Sequence, residues 1–324
     1  NGFIRLGHSV LEFSDRDIIK HYKSLNDHTG SKTLNQKLIN TVYNFKPDLL
    51  IFGHADLIKK ETLFYLKENY KNLRIAQWFL DPLINGGPDF EKNKSRILDK
   101  MDLTDANFVT TSPDVLRFLP KKNLCLFMPN PSDPSFEVLN NFDNNQCSMD
   151  VFFALSHGVH RGILKRGKYD ERADFVNKLV EKTPNVKFDL YGINNIQPIW
   201  ADSFLKSLAN AKMGVNLSRG SPIKYYSSDR ITQLIGNGLL TFIHNDTHYH
   251  NFFNEDEMIF YNSLSNLSEK LQKFAKDDFL RKKIAKKGKN KYMKYFNSTI
   301  VADYIIKNTF SIKYKKNNFL WENN

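Results

Sequence analysis

Short apolar runs alternate with amphipathic stretches along the first 130 residues. The runs are HSVLEF (8–13), DLLIFG (48–53), RIAQWFL (74–80), ANFVTTS (106–112) and LCLFMP (124–129). Residues 34–45 and 60–70, between them, repeat their apolar positions with a helical period. Near-continuous apolar strands separated by helices are typical of parallel sheets covered on both faces. We therefore predict a Rossmann-like domain over residues 1–130. Because its opening residues suggest the end of a helix, we expect this domain to be N-terminally incomplete.

The alternation breaks at FMPNPSDPSFEVLN (127–140), which carries three prolines, and then restarts. This break predicts a linker over residues 131–148. The restarted pattern predicts a second Rossmann-like domain over residues 149–297. A final helix and tail, residues 298–324, are expected to pack back towards the first domain. Two such α/β domains would face each other across a cleft at the carboxyl ends of their sheets, where ligands of open sheets bind.

Composition limits the cellular setting. The chain of 324 residues is 41 % hydrophobic and 25 % charged, with no apolar run of membrane-spanning length. Its two cysteines argue against a disulfide scaffold and predict a cytoplasmic protein. The net charge is +12, with much of the excess in the last sixty residues. That excess fits a solvated lysine-rich helix, or a surface in peripheral contact with anionic lipid at the inner membrane face. No nucleic-acid partner is expected, since no zinc-finger or RRM-type motif accompanies the charge.

The loop after the first strand of the second domain, SHGVHRGILKRGKYDER (156–172), combines glycines with hydrogen-bond donors and cations. A loop of this kind at a strand end suits a diphosphate, although a basic surface loop would have the same composition. The GxxxxGK[ST] spacing of a Walker A loop is absent. The candidate phosphate-binding residues here are Ser156, His157, Gly158, Arg161 and Lys165.

The segment RGSPIKYYSSDRITQLIGNG (219–238) leads into a short helix that ends before the strand LLTFI. Ser227 or Ser228 is a candidate helix cap, and Asp229 suits the positive end of the helix. Arg230 does not suit that end, so the sequence predicts either a bound anion or an ion pair with a nearby acid. The candidate ligand-binding residues around this helix are Ser218, Lys224, Ser228, Asp229, Arg230 and Gln233.

The order of segments in the second domain resembles that of a known family. FFALSHGVHR, FDLYG, MGVNLSRG and DRITQLIGNGLLTF follow one another as in GT-B glycosyltransferases, especially the CgeB-like branch of the group 1 transferases. The last block is similar to the family signature R-x-x-E-x-x-x-x-G. The resemblance covers the second domain and, more weakly, the first, through IAQWFLDP and FMPNPSDPSF.

The resemblance implies a GT-B fold, a nucleotide-sugar donor bound by the second domain and an acceptor bound by the first. It also implies no cofactor and no essential metal. Tyr191 and Gly192, at the end of the FDLYG strand, would hold the nucleoside together with Gln233. Where the family has a ribose-binding glutamate, this chain has Gln233, which can donate hydrogen bonds but carries no charge. The donor nucleotide, UDP or GDP, therefore stays open.

His54 and Asp81 each follow a predicted strand of the first domain. Either side chain could deprotonate an acceptor hydroxyl in an inverting reaction. The alternative is that both residues serve only the turns in which they lie. The DRD triplet at 15–17 matches a metal-binding DxD motif, but its context differs, and we expect no metal site there.

The sequence thus predicts a glycosyltransferase that moves a sugar from a nucleoside-diphosphate sugar to a hydroxyl of a glycan, a lipid-linked molecule or a protein. Polysaccharide, surface-glycan or glycolipid assembly is the expected setting. Two alternatives stay open. One is a sugar-nucleotide epimerase or hydrolase on the same fold, and the other is a non-catalytic glycan-associated protein.

Overall fold

The apolar runs of the sequence form two parallel sheets, each in its own unit of the computed structural model. The structure describes residues 1–87, 89–155, 159–160, 163–164 and 170–322. Unit 1 comprises residues 1–85, 89–128 and 299–318, and unit 2 comprises residues 86–88, 129–298 and 319–324. The chain therefore leaves unit 1 near residue 128 and returns to it at residue 299.

Unit 1 is a four-stranded parallel sheet in the order β1-β2-β3-β4. Its strands are β1 (Leu49–Phe52), β2 (Arg74–Phe79), β3 (Ala106–Val109) and β4 (Cys125–Phe127). Its helices are α1 (Gly2–Arg5), α2 (Asp15–His21), α3 (Ser31–Phe45), α4 (Lys60–Asn69) and α5 (Phe90–Asp99), and most of α11 (Ser298–Thr309) belongs here as well. The sheet positions His54 and Asp81, which lie just beyond the carboxyl ends of β1 and β2.

One predicted strand is absent from this sheet. Residues 8–13 form no strand, and Val10 and Leu11 are about half exposed to solvent. An apolar run becomes a strand only when a neighbouring strand satisfies its backbone groups, and the run at 8–13 pairs with none of the four described strands.

Unit 2 contains a five-stranded parallel sheet in the order β11-β10-β9-β5-β8. Its strands are β5 (Met149–Ala154), β8 (Phe188–Tyr191), β9 (Ala211–Asn216), β10 (Leu240–His244) and β11 (Ile259–Tyr261), and β6 (Val159–His160) pairs with β7 (Ile163–Leu164) in a separate antiparallel ribbon. Its helices are α6 (Glu171–Lys182), α7 (Ala201–Ala209), α8 (Arg230–Gly236), α9 (Leu264–Lys276) and α10 (Asp278–Tyr295).

The strand order of unit 2 identifies the edge where a ligand is expected. From β5 the chain first adds β8 on one side and then adds β9, β10 and β11 on the other. The order therefore reverses between β5 and β9, which makes this the topological switch point of the sheet. Ligands of open α/β sheets bind outside the carboxyl ends of the strands at such a point.

The predicted linker packs on unit 2 over residues 131–148. The Asn141 amide donates to the carbonyl oxygens of Leu208 and Ala211 at 2.7 Å each, and the Leu139 backbone N–H donates to Asn237. The Phe142 ring lies close to Gly238, whose φ is +80°. The proline-rich stretch thus contributes buried groups to unit 2.

The end of the chain divides between the two units. Tyr304 of α11 meets Phe108 of β3 with ring centroids 5.9 Å apart, whereas Trp321 meets Phe296 of unit 2 at 5.5 Å. Because Trp321 and Phe296 are both buried, residues 319–322 belong to the aromatic core of unit 2. The predicted C-terminal tail is therefore shared between the units.

Candidate functional site

Arg230 lies at the switch point of the unit 2 sheet. Its Nη2 donates to the carbonyl oxygen of Ala154, the last residue of β5, at 3.1 Å. Its Nη1 donates to the carbonyl oxygen of Leu217, just past β9, at 2.9 Å. The guanidinium therefore joins the carboxyl ends of the two strands between which the strand order reverses.

The guanidinium of Arg230 is further fixed by its neighbours. Its Nη1 donates to Ser228 Oγ at 3.0 Å, and Ser228 Oγ donates in turn to Asn216 Oδ1 at 3.0 Å. Its central carbon lies 5.1 Å from the centre of the Phe153 ring, within cation–π range. These contacts hold the charge in one place without neutralising it.

A second arginine, Arg172, adds positive charge near Arg230. Burial lowers the pKa of Arg230 to about 10, and the next largest cause is the positive charge of Arg172. The sheet edge therefore holds the positive charge of Arg230 close to that of Arg172. Among the described residues, no carboxylate lies within ion-pair distance of Arg230. Both sequence-based explanations for this arginine stay predictions, because the charges of Asp229 and Asp170 also act on its guanidinium.

Arg172 is held by the residue that caps its helix. Asp170, the N-cap of α6, accepts two bonds from the Arg172 guanidinium at 3.0 and 2.7 Å, and one from its backbone N–H at 3.0 Å. Glu171 accepts a bond from the Gly220 backbone N–H at 2.6 Å, which ties the start of α6 to the loop after β9. Arg172 was not predicted as a binding residue, although it ends the basic stretch 156–172. The Asp-x-Arg spacing at the start of that helix is a signal that could have identified it.

Several predicted binding residues lie beside Arg230. The Ser228 backbone N–H donates to Ser218 Oγ at 3.1 Å, and Lys224 Nζ lies 5.1 Å from the Tyr225 ring centre. Asp229 is exposed and occupies the N-cap of α8, although its side chain makes no cap bond. Gln233 is partly exposed on the same helix, and its side-chain amide makes no hydrogen bond within the described part of the chain.

The expected serine cap of α8 is wrong. Ser227 Oγ bonds to Tyr249 and Asn130, and Ser228 Oγ lies between Arg230 and Asn216. These tertiary bonds take up both hydroxyls, so the helix begins at Asp229 without a side-chain cap.

Tyr191 and Gly192 have packing contacts at the end of β8. The Tyr191 hydroxyl and Ser207 Oγ of α7 are 3.0 Å apart. Gly192 has a φ of +75°, and a Cβ added there would lie 1.9 Å from the carbonyl oxygen of Leu155. A glycine is therefore required where β8 ends against β5. The other predicted residues of this edge, Ser156, His157, Gly158, Arg161 and Lys165, lie outside the described residues.

In unit 1 the structure brings His54 and Asp81 together. His54 Nε2 lies 3.2 Å from Asp81 Oδ2, and the His54 ring packs 5.1 Å from the Phe79 ring. The hydrogen bond from His54 is the largest cause that lowers the pKa of Asp81, with a further contribution from the charge of Arg96. Asp81 is therefore an ionised acceptor that orients the imidazole of His54 through Nε2.

Arg96 of α5 supports this pair. Its Nη2 lies 2.5 Å from Asp56 Oδ2, and its Nη1 lies 3.9 Å from Asp81 Oδ2. Between His54 and Asp56, Ala55 has a φ of +42°, a strained value for a residue with a side chain. Such strain persists only where surrounding contacts enforce it, and it is frequent at functional sites. Arg96 was not predicted from the sequence, because nothing in the helix pattern separates it from a solvent-exposed arginine.

Residues 171–307 match the family described as glycosyl transferase-like, and the match includes both Arg172 and Arg230. Over these residues the chain carries a glycosyl transferase-like domain, and its fold is that of the GT-B glycosyltransferases. The family and fold expected from the order of sequence motifs are thus confirmed, while the CgeB-like branch stays a prediction. No curated protein matches the sequence of this glycosyltransferase.

Solved structures of the same fold resemble this glycosyltransferase at low sequence identity. HepE of Anabaena in complex with UDP-glucose is 11 % identical with a TM-score of 0.59, covering 86 % of this chain and 82 % of that one. Sucrose-phosphate synthase of Thermosynechococcus elongatus is 9 % identical with a TM-score of 0.58, covering 88 % and 79 %. TarM of S. aureus is 11 % identical with a TM-score of 0.56, and the match covers 85 % of this chain and 58 % of TarM.

Membrane-spanning helices and metal-binding clusters are both absent from the described residues. No helix in the described ranges is long and apolar enough to cross a bilayer. In those same ranges, no cluster of three or more His, Cys, Asp or Glu side chains could hold a metal ion. Asp15 and Asp17 of the DRD triplet lie in the first turn of α2, where Asp17 accepts a bond from Ser14.

Proposed function

We propose that this glycosyltransferase transfers a sugar from a nucleoside-diphosphate sugar to a hydroxyl group, with the donor diphosphate bound by Arg230 and Arg172. The observation that carries this proposal is the guanidinium of Arg230, which is hydrogen-bonded across the switch point and has no carboxylate of the described residues within ion-pair distance. Two fixed cations match the charge that develops on a departing diphosphate. The complex of HepE with UDP-glucose supports this class of donor.

In the proposed reaction the acceptor oxygen forms a bond to the anomeric carbon, and the bond between that carbon and the diphosphate oxygen breaks. The electron pair of the broken bond leaves with the diphosphate, where the arginines stabilise it. In an inverting transfer, His54 takes the proton of the acceptor hydroxyl, and Asp81 stabilises the resulting imidazolium. Gln233, with its amide unengaged in the described part of the chain, is our candidate for contact with the donor ribose or sugar.

We further propose that these arginines replace a metal ion in neutralising the diphosphate. The support is their position, since both cations are preformed at the ligand edge of the sheet. On this proposal a chelator such as EDTA leaves the transfer rate unchanged.

The acceptor class is proposed as a glycan or a glycan-bearing molecule. One structure of TarM contains fondaparinux, α-GlcNAc-glycerol and UDP, so a protein of this fold holds glycan-like molecules together with a nucleotide. Surface-glycan assembly is the setting we propose for the enzyme on that basis.

The test is calorimetric titration of UDP, GDP and their sugars into the enzyme and into Arg230→Gln and Arg172→Gln variants. A charged hydrogen bond contributes about 1.5–3 kcal/mol, so each variant should bind the diphosphate roughly 10- to 150-fold more weakly. Binding of the free nucleoside should not change. Lys187→Gln is the matched control, because it removes a cation at the amino end of β8, on the opposite edge of the same sheet.

Equal losses of nucleoside and diphosphate binding in the Arg230→Gln variant would contradict the assigned role. Release of free sugar from the donor without any acceptor, at the rate of the full reaction, would instead identify a hydrolase.

A further inference from the structure

Helix α10 presents a row of side chains to solvent along one face. The helix has 18 residues, which makes it about 27 Å long. Its exposed positions include Phe279, Lys283, Lys286 and Lys294, spaced so that they share one side of the helix. Lys276, the exposed last residue of α9, precedes this row. We call Lys276, Phe279, Lys283, Lys286 and Lys294 the α10 stripe.

The lysines of this surface differ in their partners. Lys282, Lys287 and Lys291 form ion pairs with Asp278, Asp256 and Glu257 at 2.8, 2.9 and 2.7 Å. By contrast, Lys276, Lys283, Lys286 and Lys294 have no carboxylate within ion-pair distance among the residues that the structure describes. Lys286 and Lys294 instead lie 5.6 and 4.8 Å from the rings of Phe142 and Tyr295. The stripe therefore carries uncompensated positive charge.

The opposite face of α10 fixes the direction of this charge. Arg281, Ile284 and Tyr292 are buried, and Arg281 bonds to Asp278 at 2.7 and 2.9 Å. Gly288 lies so close to Glu257 that an added Cβ would come within 2.1 Å of its carbonyl oxygen. These contacts fix the rotation of α10 about its own axis against the rest of unit 2. The α10 stripe therefore stays exposed to solvent.

An exposed aromatic side chain accompanies the charge. Phe279, in the first turn of α10, is 81 % exposed. Transfer of a phenyl ring from water into an apolar phase lowers the free energy. The neighbouring lysines additionally favour a surface that is anionic. A membrane rich in anionic phospholipid meets both conditions.

We propose that the α10 stripe docks this enzyme on an anionic lipid surface. All four cations of the stripe are lysines, which act as point charges towards a layer of headgroups, whereas arginine forks favour bidentate recognition of single phosphates. Lys283, Lys286 and Lys294 lie on one side of α10, and Lys276 precedes them at the end of α9, so a flat surface can meet these charges together. Phe279 would enter the interface beside Lys276 and Lys283.

The test is co-sedimentation of the full chain with vesicles of phosphatidylcholine alone and of phosphatidylcholine mixed with phosphatidylglycerol. We expect binding only to the mixed vesicles, and its loss at high salt because exposed charges are screened. The triple variant Lys283→Gln/Lys286→Gln/Lys294→Gln should bind roughly a hundredfold more weakly, since each lysine near such a surface contributes about a fivefold factor. Phe279→Ser should weaken binding while its salt dependence is retained.

The matched control is Lys59→Gln/Lys121→Gln/Lys122→Gln, which removes the same charge from exposed lysines of unit 1. It should bind the mixed vesicles like the unaltered enzyme. Thermal melting and UDP-sugar binding should be the same for both triple variants, because neither set replaces Arg172, Arg230 or a core residue. Equal losses in the two triple variants would overturn the proposal, as would binding to heparin or duplex DNA without binding to vesicles.

Discussion

At the residue scale, the candidate catalytic group of unit 1 is a pair rather than a choice between two residues. The sequence places His54 and Asp81 after different strands, and the structure joins them at 3.2 Å. Since the pKa of Asp81 lies below its ordinary value, its carboxylate remains ionised in mildly acidic solution and continues to hold the imidazole. In the proposed function, His54 is the base and Asp81 is its positioning partner.

We therefore expect His54→Gln to lower kcat for sugar transfer by roughly a hundredfold to ten-thousandfold, the usual contribution of a general base. The donor Kd should stay unchanged, because the glutamine removes no cation from unit 2. The measurement is steady-state transfer kinetics combined with calorimetric titration of the donor. His28→Gln, at an exposed histidine of the same unit, should leave both quantities as they are.

Asp81→Asn should also lower kcat for sugar transfer, because a neutral amide no longer stabilises the imidazolium. For the same reason, the profile of kcat against pH should differ from that of the unaltered enzyme. Full activity of His54→Gln, together with a product that keeps the donor configuration, would contradict a base in unit 1.

At the element scale, α10 packs closely against the backbone at Glu257 because position 288 of the helix is a glycine. A Cβ on Gly288 would lie 2.1 Å from the backbone oxygen of Glu257 and 3.3 Å from Ile235. A backbone oxygen cannot move aside as the end of a flexible side chain can, so the helix itself would have to shift. The sequence pattern alone does not reveal this, since glycine inside a helix normally only weakens it.

We expect Gly288→Ala to lower the free energy of unfolding by about 1–3 kcal/mol, the usual cost of overpacking, even though alanine favours helix formation. Urea denaturation followed by circular dichroism measures this change. Asn290→Ala is the control on the same helix, at an exposed position, and should raise stability by a few tenths of a kcal/mol. A stabilised Gly288→Ala variant would show that α10 is not packed as described.

At the scale of the whole molecule, unit 1 depends on residues from the far end of the chain. Tyr304 of α11 is 1 % exposed and packs against Phe108, which is fully buried in β3. The first 128 residues therefore do not contain the complete core of unit 1, while residues 319–322 return to the aromatic core of unit 2.

Tyr304→Ala should therefore destabilise the protein by about 3–5 kcal/mol, as removal of a large buried aromatic side chain usually does. Tyr43→Ala, at a tyrosine that is 65 % exposed, should change stability by no more than about 0.5 kcal/mol. Both are measured by urea denaturation with tryptophan fluorescence as the signal. Similar small changes in the two variants would mean that α11 adds little to unit 1.

The sequence by itself determined the alternation of strands and helices, and with it the α/β class and the glycosyltransferase family. These features follow from local patterns: apolar runs of strand length, helical periods, and a fixed order of motifs along residues 149–243. Arg230 could be singled out for the same reason, because a cation at the start of a helix conflicts with its immediate neighbours.

Only the tertiary structure decided which side chains meet. The contact of His54 with Asp81, the nearness of Arg172 to Arg230, and the return of α11 to unit 1 all join residues that are distant along the chain. Strand order and long-range packing determine these contacts, and the local periodicity of the sequence does not predict them. For the same reason the run at 8–13 has the pattern of a strand yet forms none, because pairing requires a neighbour that the pattern cannot supply.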